Sequence, residues 1–191
     1  MLTLFHGSSE RFDRFDLSRA GEATGVKFGF GIYLTESEAS AVHYSVPRHR
    51  EDTSDHYLYT VEIPDLTDDN HLTSALPVPA SIVEKVEAAL ERKAPAQVCS
   101  TGKDFRKWVG CTLTGANKSG FREEKAAAEF LNKQGVFCNV WRQAQSKPNG
   151  LKNIAVFSTE HIRIIRCEHI DIVTNKQGKH VLVEGSRKEV K

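Results

Sequence analysis

Apolar positions along this chain come in short runs separated by polar, glycine-containing stretches, and the spacing inside each run distinguishes strands from helices. Residues 2–5 predict a first strand that runs straight into His6. Residues 9–31 are charged and glycine-containing, with Phe12 and Phe15 as anchors of a folded-over loop. Residues 31–35 form a short second strand. Thr35-Glu36-Ser37-Glu38 has the spacing of a capping box and predicts a helix over 36–46. That helix places Ala39, Val42 and His43 on one side and ends before Pro47. Residues 57–63 alternate with period two and stop at Pro64, which predicts a half-buried strand.

A second capping-box spacing, Ser81-Ile82-Val83-Glu84, opens a helix with Ile82, Val83, Val86, Ala89 and Leu90 apolar. Phe105, Trp108 and Val109 predict another short helix. Residues 123–133 read as a helix with Ala127, Phe130 and Leu131 inward, Glu123 and Glu124 complementing its dipole, and Gly135 as its stop. Strands follow over 136–141, 153–158 and 162–166, then a hairpin of 170–173 with 180–183 turning through Asn175-Lys176-Gln177-Gly178. Residues 186–191 read as a frayed tail. This order of elements suits an α+β domain better than an alternating parallel sheet.

At 191 residues the chain fits one domain with a sizeable core. Its net charge of +1 supplies no global field toward nucleic acid or membrane, so attraction to a partner has to be local. Cys99, Cys111, Cys138 and Cys167 contain no C-x-x-C pair, which argues against structural zinc and a disulfide framework. No His/Cys/Asp cluster has metal spacing. With neither a basic leader nor an 18-residue apolar run, the expectation is a cytoplasmic protein with no membrane partner.

The chemistry concentrates in two strand ends. Leu4-Phe5-His6-Gly7-Ser8 carries a histidine beside a glycine, and Gly29-Phe30-Gly31-Ile32-Tyr33-Leu34-Thr35 carries a tyrosine, with Tyr44 eleven residues further on. Gly29-Phe30-Gly31 is not a dinucleotide fingerprint, because no helix-opening G-x-x-G follows. Together with the late strand Asn153-Ile154-Ala155-Val156-Phe157, these segments resemble the signature of ADP-ribosyltransferases. The likeness is to the poly(ADP-ribose) polymerase and diphtheria-toxin branch, with its His-Tyr-Glu triad. It is nearest to compact bacterial and phage members, which share the Phe-x-x-Phe-Asp stretch seen at Phe12 to Asp16. The resemblance covers residues 2–63 and 123–166. It implies one domain over 1–191, a split β-sandwich of two antiparallel sheets with flanking helices and a helical insertion at 65–120.

The resemblance also assigns roles. His6 hydrogen-bonds the ribose 2′-hydroxyl of the adenosine half of NAD, the Gly7 backbone pairs with the nicotinamide carboxamide, and Tyr33 and Tyr44 sandwich the pyridinium ring. Ser8 and Arg19 are candidates for the adenosine side. Two departures stand out. Asn153 occupies the position of the triad glutamate; its carboxamide can accept a hydroxyl hydrogen bond but cannot act as a general base, which argues against chain elongation. Ala41 replaces a nicotinamide-binding serine, for which Ser40 is an imperfect substitute.

The loop 142–152 lies where the family recognises its acceptor. It holds Arg142, Lys147 and Lys152, the amides Gln143, Gln145 and Asn149, and no carboxylate, with Trp141 at its base. That composition suits a nucleic acid, RNA or single-stranded DNA, better than an arginine-bearing protein. Lys103, Arg106, Lys107, Lys118 and Arg122 extend the basic surface if they fold nearby. The expected function is a metal-free mono-ADP-ribosyltransferase that consumes NAD, acting as a toxin or in phage defence with an antitoxin or inhibitor as partner. The alternatives are a catalytically silent module binding NAD, ADP-ribose or nucleic acid, a protein-directed transferase, and an NAD glycohydrolase.

Overall fold

The computed structural model describes residues 1–20, 25–46, 55–142 and 150–190. In chain order its elements begin with β1 (Leu2–Ser8), β2 (Ile32–Thr35), α1 (Glu38–Tyr44), β3 (Tyr57–Ile63), β4 (His71–Thr73), α2 (Ala80–Leu90) and α3 (Gly102–Thr114). Then come α4 (Phe121–Lys133), β5 (Cys138–Arg142), β6 (Lys152–Val156), β7 (Arg163–His169), β8 (Ile172–Thr174), β9 (His180–Leu182) and β10 (Lys188–Glu189). The fold is mixed α+β, with mainly antiparallel strands, a small separate hairpin sheet and four α-helices among the described residues. None of these helices is long and apolar enough to cross a membrane.

Two compact units divide the chain. The first comprises Met1–Phe15, Tyr33–Asp65 and Ile162–Lys191. Its sheet runs β10-β7-β3-β1-β2, with every neighbouring pair antiparallel. The β8–β9 hairpin packs on α1, where Ile172 and Leu182 cover the buried Ala41, Val42, Leu58 and Ile170. The second unit comprises Asp16–Ile32 and Leu66–His161. Here β6-β5-β4 are neighbours, β4 running parallel to β5, and Leu72, Ile82, Val86, Phe105, Val109, Ala127, Leu131 and Phe157 share one core.

Local departures from the expected elements have identifiable causes. Thr35 is still paired with Phe5 in the sheet, so its hydroxyl caps only the turn, accepting from the Ser37 N–H at 3.0 Å. Ser37 is the true N-cap of α1 and accepts from the Ser40 N–H, which starts the helix at Glu38 and leaves Ala41 and Val42 buried with Ala39 exposed. The second capping box does not form. Pro79 is the N-cap of α2, its φ is set by the ring, and the Ser81 hydroxyl, inside the first turn, donates to Asp69 instead; Ala89 is exposed. α3 is thirteen residues long rather than a short helix, running to the left-handed Gly115. The segment 65–120 also contributes the strand β4 besides its helices. The C-terminal residues are not frayed as far as 190. Ser186 is buried against Asp171, Arg187 pairs with Glu38 and Glu168, and β10 adds to β7.

Arg106 is not part of a basic surface. It is 0 % exposed and ion-paired with the buried Glu124 of α4. Glu124 therefore serves as the counter-charge of a core arginine, while Glu123 turns back to accept the Gly120 N–H at 3.0 Å. Arg106→Ala strands a buried carboxylate and is expected to lower stability by about 3–5 kcal/mol. A urea titration checks this; a loss under about 1 kcal/mol contradicts the pair's structural role.

Candidate functional site

β1 is held along its whole length by β3, from Leu2 opposite Ile63 to Ser8 opposite Tyr57. Its ladder with β2 is a single pair, Phe5 with Thr35. Where those two strands part, His6 Nδ1 lies 2.8 Å from the Tyr33 carbonyl oxygen. A carbonyl only accepts, so Nδ1 carries the proton and Nε2 presents its lone pair. The imidazole is half-buried and walled by rings: Phe15 meets it edge-on at 5.1 Å, with Phe12 at 6.1 Å and Tyr59 at 6.3 Å. Burial pushes its pKa below the ordinary 6.5, and the hydrogen bond to Tyr33 only partly offsets this. The site thus holds a neutral histidine with one defined acceptor nitrogen.

Pleat alternation decides what shares a face. Phe5 and Thr35 are paired, so Gly7 and Tyr33 lie on their face, while His6 and Ser8 lie on the other. α1 packs on the Gly7 face. A Cβ on residue 7 would sit 1.8 Å from the Ala41 carbonyl oxygen and 2.9 Å from the Ser45 nitrogen, so only glycine lets this helical turn seat on the strand. Tyr44 belongs to that turn and is 56 % exposed, its ring 5.4 Å from that of His43. Gly7, Tyr33 and the turn bearing Tyr44 are therefore brought to one side of β1, and the imidazole reaches β2 from the other side.

The remaining predicted residues are distributed as follows. The Ser8 hydroxyl accepts from the Glu10 N–H at 3.0 Å, closing a turn. The Ser40 hydroxyl donates to Ser37 Oγ at 3.0 Å within the α1 cap. Arg19 ends a short 3-10 turn and belongs to the second unit, as do Asn153, Trp141, Arg142 and Lys152. Asn153 is the second residue of β6, half-buried and paired with Trp141 of β5. The Arg142 guanidinium donates to the Gly150 carbonyl at 2.8 Å. Gln143, Gln145, Lys147 and Asn149 lie outside the described residues.

Two contributors escape sequence reasoning. Phe28 stacks on Trp141 with centroids 4.3 Å apart and planes 1° from parallel, and Lys27 lies over Phe28 at 5.5 Å. The buried Asn139 pins Phe28 by donating to its carbonyl at 2.7 Å. Tyr59, the other, pairs with His6 across β1 and β3. The signal available for Tyr59 was its inward place in the 57–63 alternation, since a buried phenol requires a hydrogen-bond partner. A concavity of about 260 Å³ in the first unit, lined by Arg11, Phe12, Asp13, Ile164, Arg166 and Cys167, contains none of the predicted site residues. Among the described residues no three His, Cys, Asp or Glu side chains group to hold a metal ion.

No family model matches the chain, and no curated protein or solved structure matches it significantly.

The depressed His6 pKa sets a pH dependence. Above pH 6.5 the group is neutral folded and unfolded, and it contributes no slope. Below 6.5 the unfolded chain binds the proton first, so stability is lost as pH falls toward the folded value. Urea titrations from about pH 7 to about pH 5 are expected to show a smaller decline for His6→Gln than for wild type. Equal slopes contradict a neutral, buried imidazole.

Proposed function

We propose that this protein is an NAD-dependent mono-ADP-ribosyltransferase built on a split β-sandwich of the ADP-ribosyltransferase type, with RNA or single-stranded DNA as acceptor. The observation that supports it most is the His6-Gly7 step. One residue offers a neutral imidazole with its acceptor nitrogen defined, and the next lacks the Cβ that would hold off the turn bearing Tyr44. A lone-pair nitrogen suits a ribose hydroxyl, and an exposed phenol ring suits a flat cationic pyridinium.

In the reaction so assigned, the bond between the ribose anomeric carbon and the nicotinamide nitrogen breaks. Its electron pair leaves with the ring, which becomes neutral, and positive charge passes to the sugar. Tyr33 and Tyr44 hold the ring and His6 holds the ribose of the adenosine half; the resemblance gives Asn153 the role of the triad glutamate, with a carboxamide that can accept a ribose hydroxyl hydrogen bond. An acceptor lone pair then forms the new bond, and the acceptor's proton passes to solvent. An uncharged Asn153 stabilises the developing cation less than a carboxylate would, which restricts the reaction to a single unit and a good nucleophile.

Support for a nucleic-acid acceptor comes from the stack Lys27-Phe28-Trp141, an aromatic ledge with a cation of the kind single strands use, followed along the same strand pair by the cations Arg142 and Lys152. A mono-ADP-ribosyltransferase of this kind fits a bacterial toxin or phage-defence enzyme held in check by an antitoxin or inhibitor. Asn153 favours one second reading, a catalytically silent module that binds NAD or ADP-ribose.

Labelled NAD incubated with the protein and with RNA, single-stranded DNA or total cell protein separates these. Label is expected in the nucleic-acid fraction with equimolar nicotinamide release. Label confined to protein overturns the acceptor assignment, nicotinamide release with no labelled polymer indicates a glycohydrolase, and binding without release supports the silent module. Tyr44→Ala is expected to weaken NAD binding about tenfold more than Tyr44→Phe, as a stacking contact of about 1–2 kcal/mol requires. Equal affinities for the two variants contradict stacking. Trp141→Ala and Lys152→Glu are expected to reduce acceptor labelling about tenfold while NAD affinity is unchanged; full labelling at ordinary salt contradicts the ledge.

A further inference from the structure

The loop between β1 and the 3-10 turn presents Arg11, Asp13 and Arg14 to solvent, yet its two phenylalanines lie against the His6 ring. What holds them there is one hydroxyl. Tyr59 is 0 % exposed and sits directly across the strand pair from His6. Its oxygen accepts the Phe12 N–H at 2.7 Å and its proton goes to the Phe12 carbonyl at 3.1 Å. A side chain thereby satisfies both main-chain groups of a loop residue, as a neighbouring strand would. The Phe12 ring stacks on the Tyr59 ring at 4.2 Å and 8°, Phe15 stands edge-on to Phe12 at 4.8 Å, and Phe15 in turn meets His6.

We propose that Tyr59 is a positioning residue for His6: by clamping Phe12 it closes an aromatic wall that keeps the imidazole in the Nδ1–H form, with Nε2 as a fixed hydrogen-bond acceptor. Geometry alone makes the connection. The wall excludes water from the ring, which disfavours the imidazolium, and it confines the ring to the orientation in which Nδ1–H reaches the Tyr33 carbonyl. Release of Phe12 opens one side of the ring to water, and both tautomers and the cation become accessible. The clamp deepens the transferase reading, on which its consequence for NAD rests; its effect on the histidine does not depend on that reading.

Tyr59→Phe keeps the ring, the stack and the core volume and removes only the hydroxyl. Long-range nitrogen–proton NMR on histidine-labelled protein reads the tautomer and protonation midpoint of His6. In wild type the expected pattern is a single Nδ1–H form that resists protonation below 6.5. In Tyr59→Phe the signals are expected to become a mixture of tautomers with the midpoint raised toward 6.5, and kcat/KM for NAD to fall about tenfold. Tyr57→Phe, two residues along the same strand, leaves both unchanged. A folded Tyr59→Phe protein with the wild-type tautomer and midpoint overturns the proposal. Should that variant fail to fold, Phe12→Leu, which takes one ring out of the wall but keeps the core phenol and its main-chain bonds, is expected to shift the tautomer and midpoint in the same direction, and an unchanged pattern there overturns the proposal. A protein inert toward NAD in every form, whose tautomer is nonetheless lost in Tyr59→Phe, sinks the transferase reading and leaves the clamp standing.

Discussion

How closely α1 approaches β1 is the constraint on which the candidate site depends. Residue 7 lies against the backbone of the turn from Ala41 to Ser45, and a methyl group there would overlap the Ala41 carbonyl. That contact sets the height of the helix above the strand, and with it the height at which Tyr44 emerges. The hydrophobic contacts behind it, Ala41 and Val42 with Leu58, Ile170, Ile172 and Leu182, press the helix down but do not set the distance. Glycine does.

The same strand carries a second, electrostatic constraint. One residue before the close approach, a carbonyl on β2 fixes the proton of an imidazole, and a wall of three rings keeps that imidazole neutral. Neighbouring residues on a strand point to opposite faces, so His6 and Gly7 divide the work: one offers a directional acceptor, the other admits a helix. Each needs partners distant in sequence, Tyr33 and Tyr59 for the first, α1 and the β8–β9 hairpin for the second.

What was legible in the sequence follows from this division. Local periodicity was enough for β3, whose burial alternates through Val61, Glu62 and Ile63, and for α4, whose apolar face is continuous. Caps were less legible because spacing alone does not say which residue ends the preceding structure. At α1 the sheet pairing of Thr35 leaves the role to Ser37, and at α2 the helix starts right after Pro79, which puts Ser81 inside the first turn instead of at the cap. Arg106 reads as a surface cation in any window of sequence; only the arrival of Glu124 from α4 makes a core position tolerable. Phe28 and Tyr59 were missed for a related reason. Each acts through a partner more than forty residues away, Trp141 for the one and Phe12 for the other, and periodicity carries no such information.

We propose that, where β1 and β2 part, the Gly7 backbone and the rings of Tyr33 and Tyr44 receive the nicotinamide of NAD, while His6, on the other face of β1, takes the ribose of its adenosine half. A crystal structure of the protein soaked with NAD at saturating concentration tests it most directly. The claim predicts the pyridine ring between Tyr33 and Tyr44, its carboxamide on the Gly7 backbone and the 2′-hydroxyl of the adenosine ribose donating to His6 Nε2. Density for the dinucleotide elsewhere on the molecule, or an unliganded site at saturation, contradicts it.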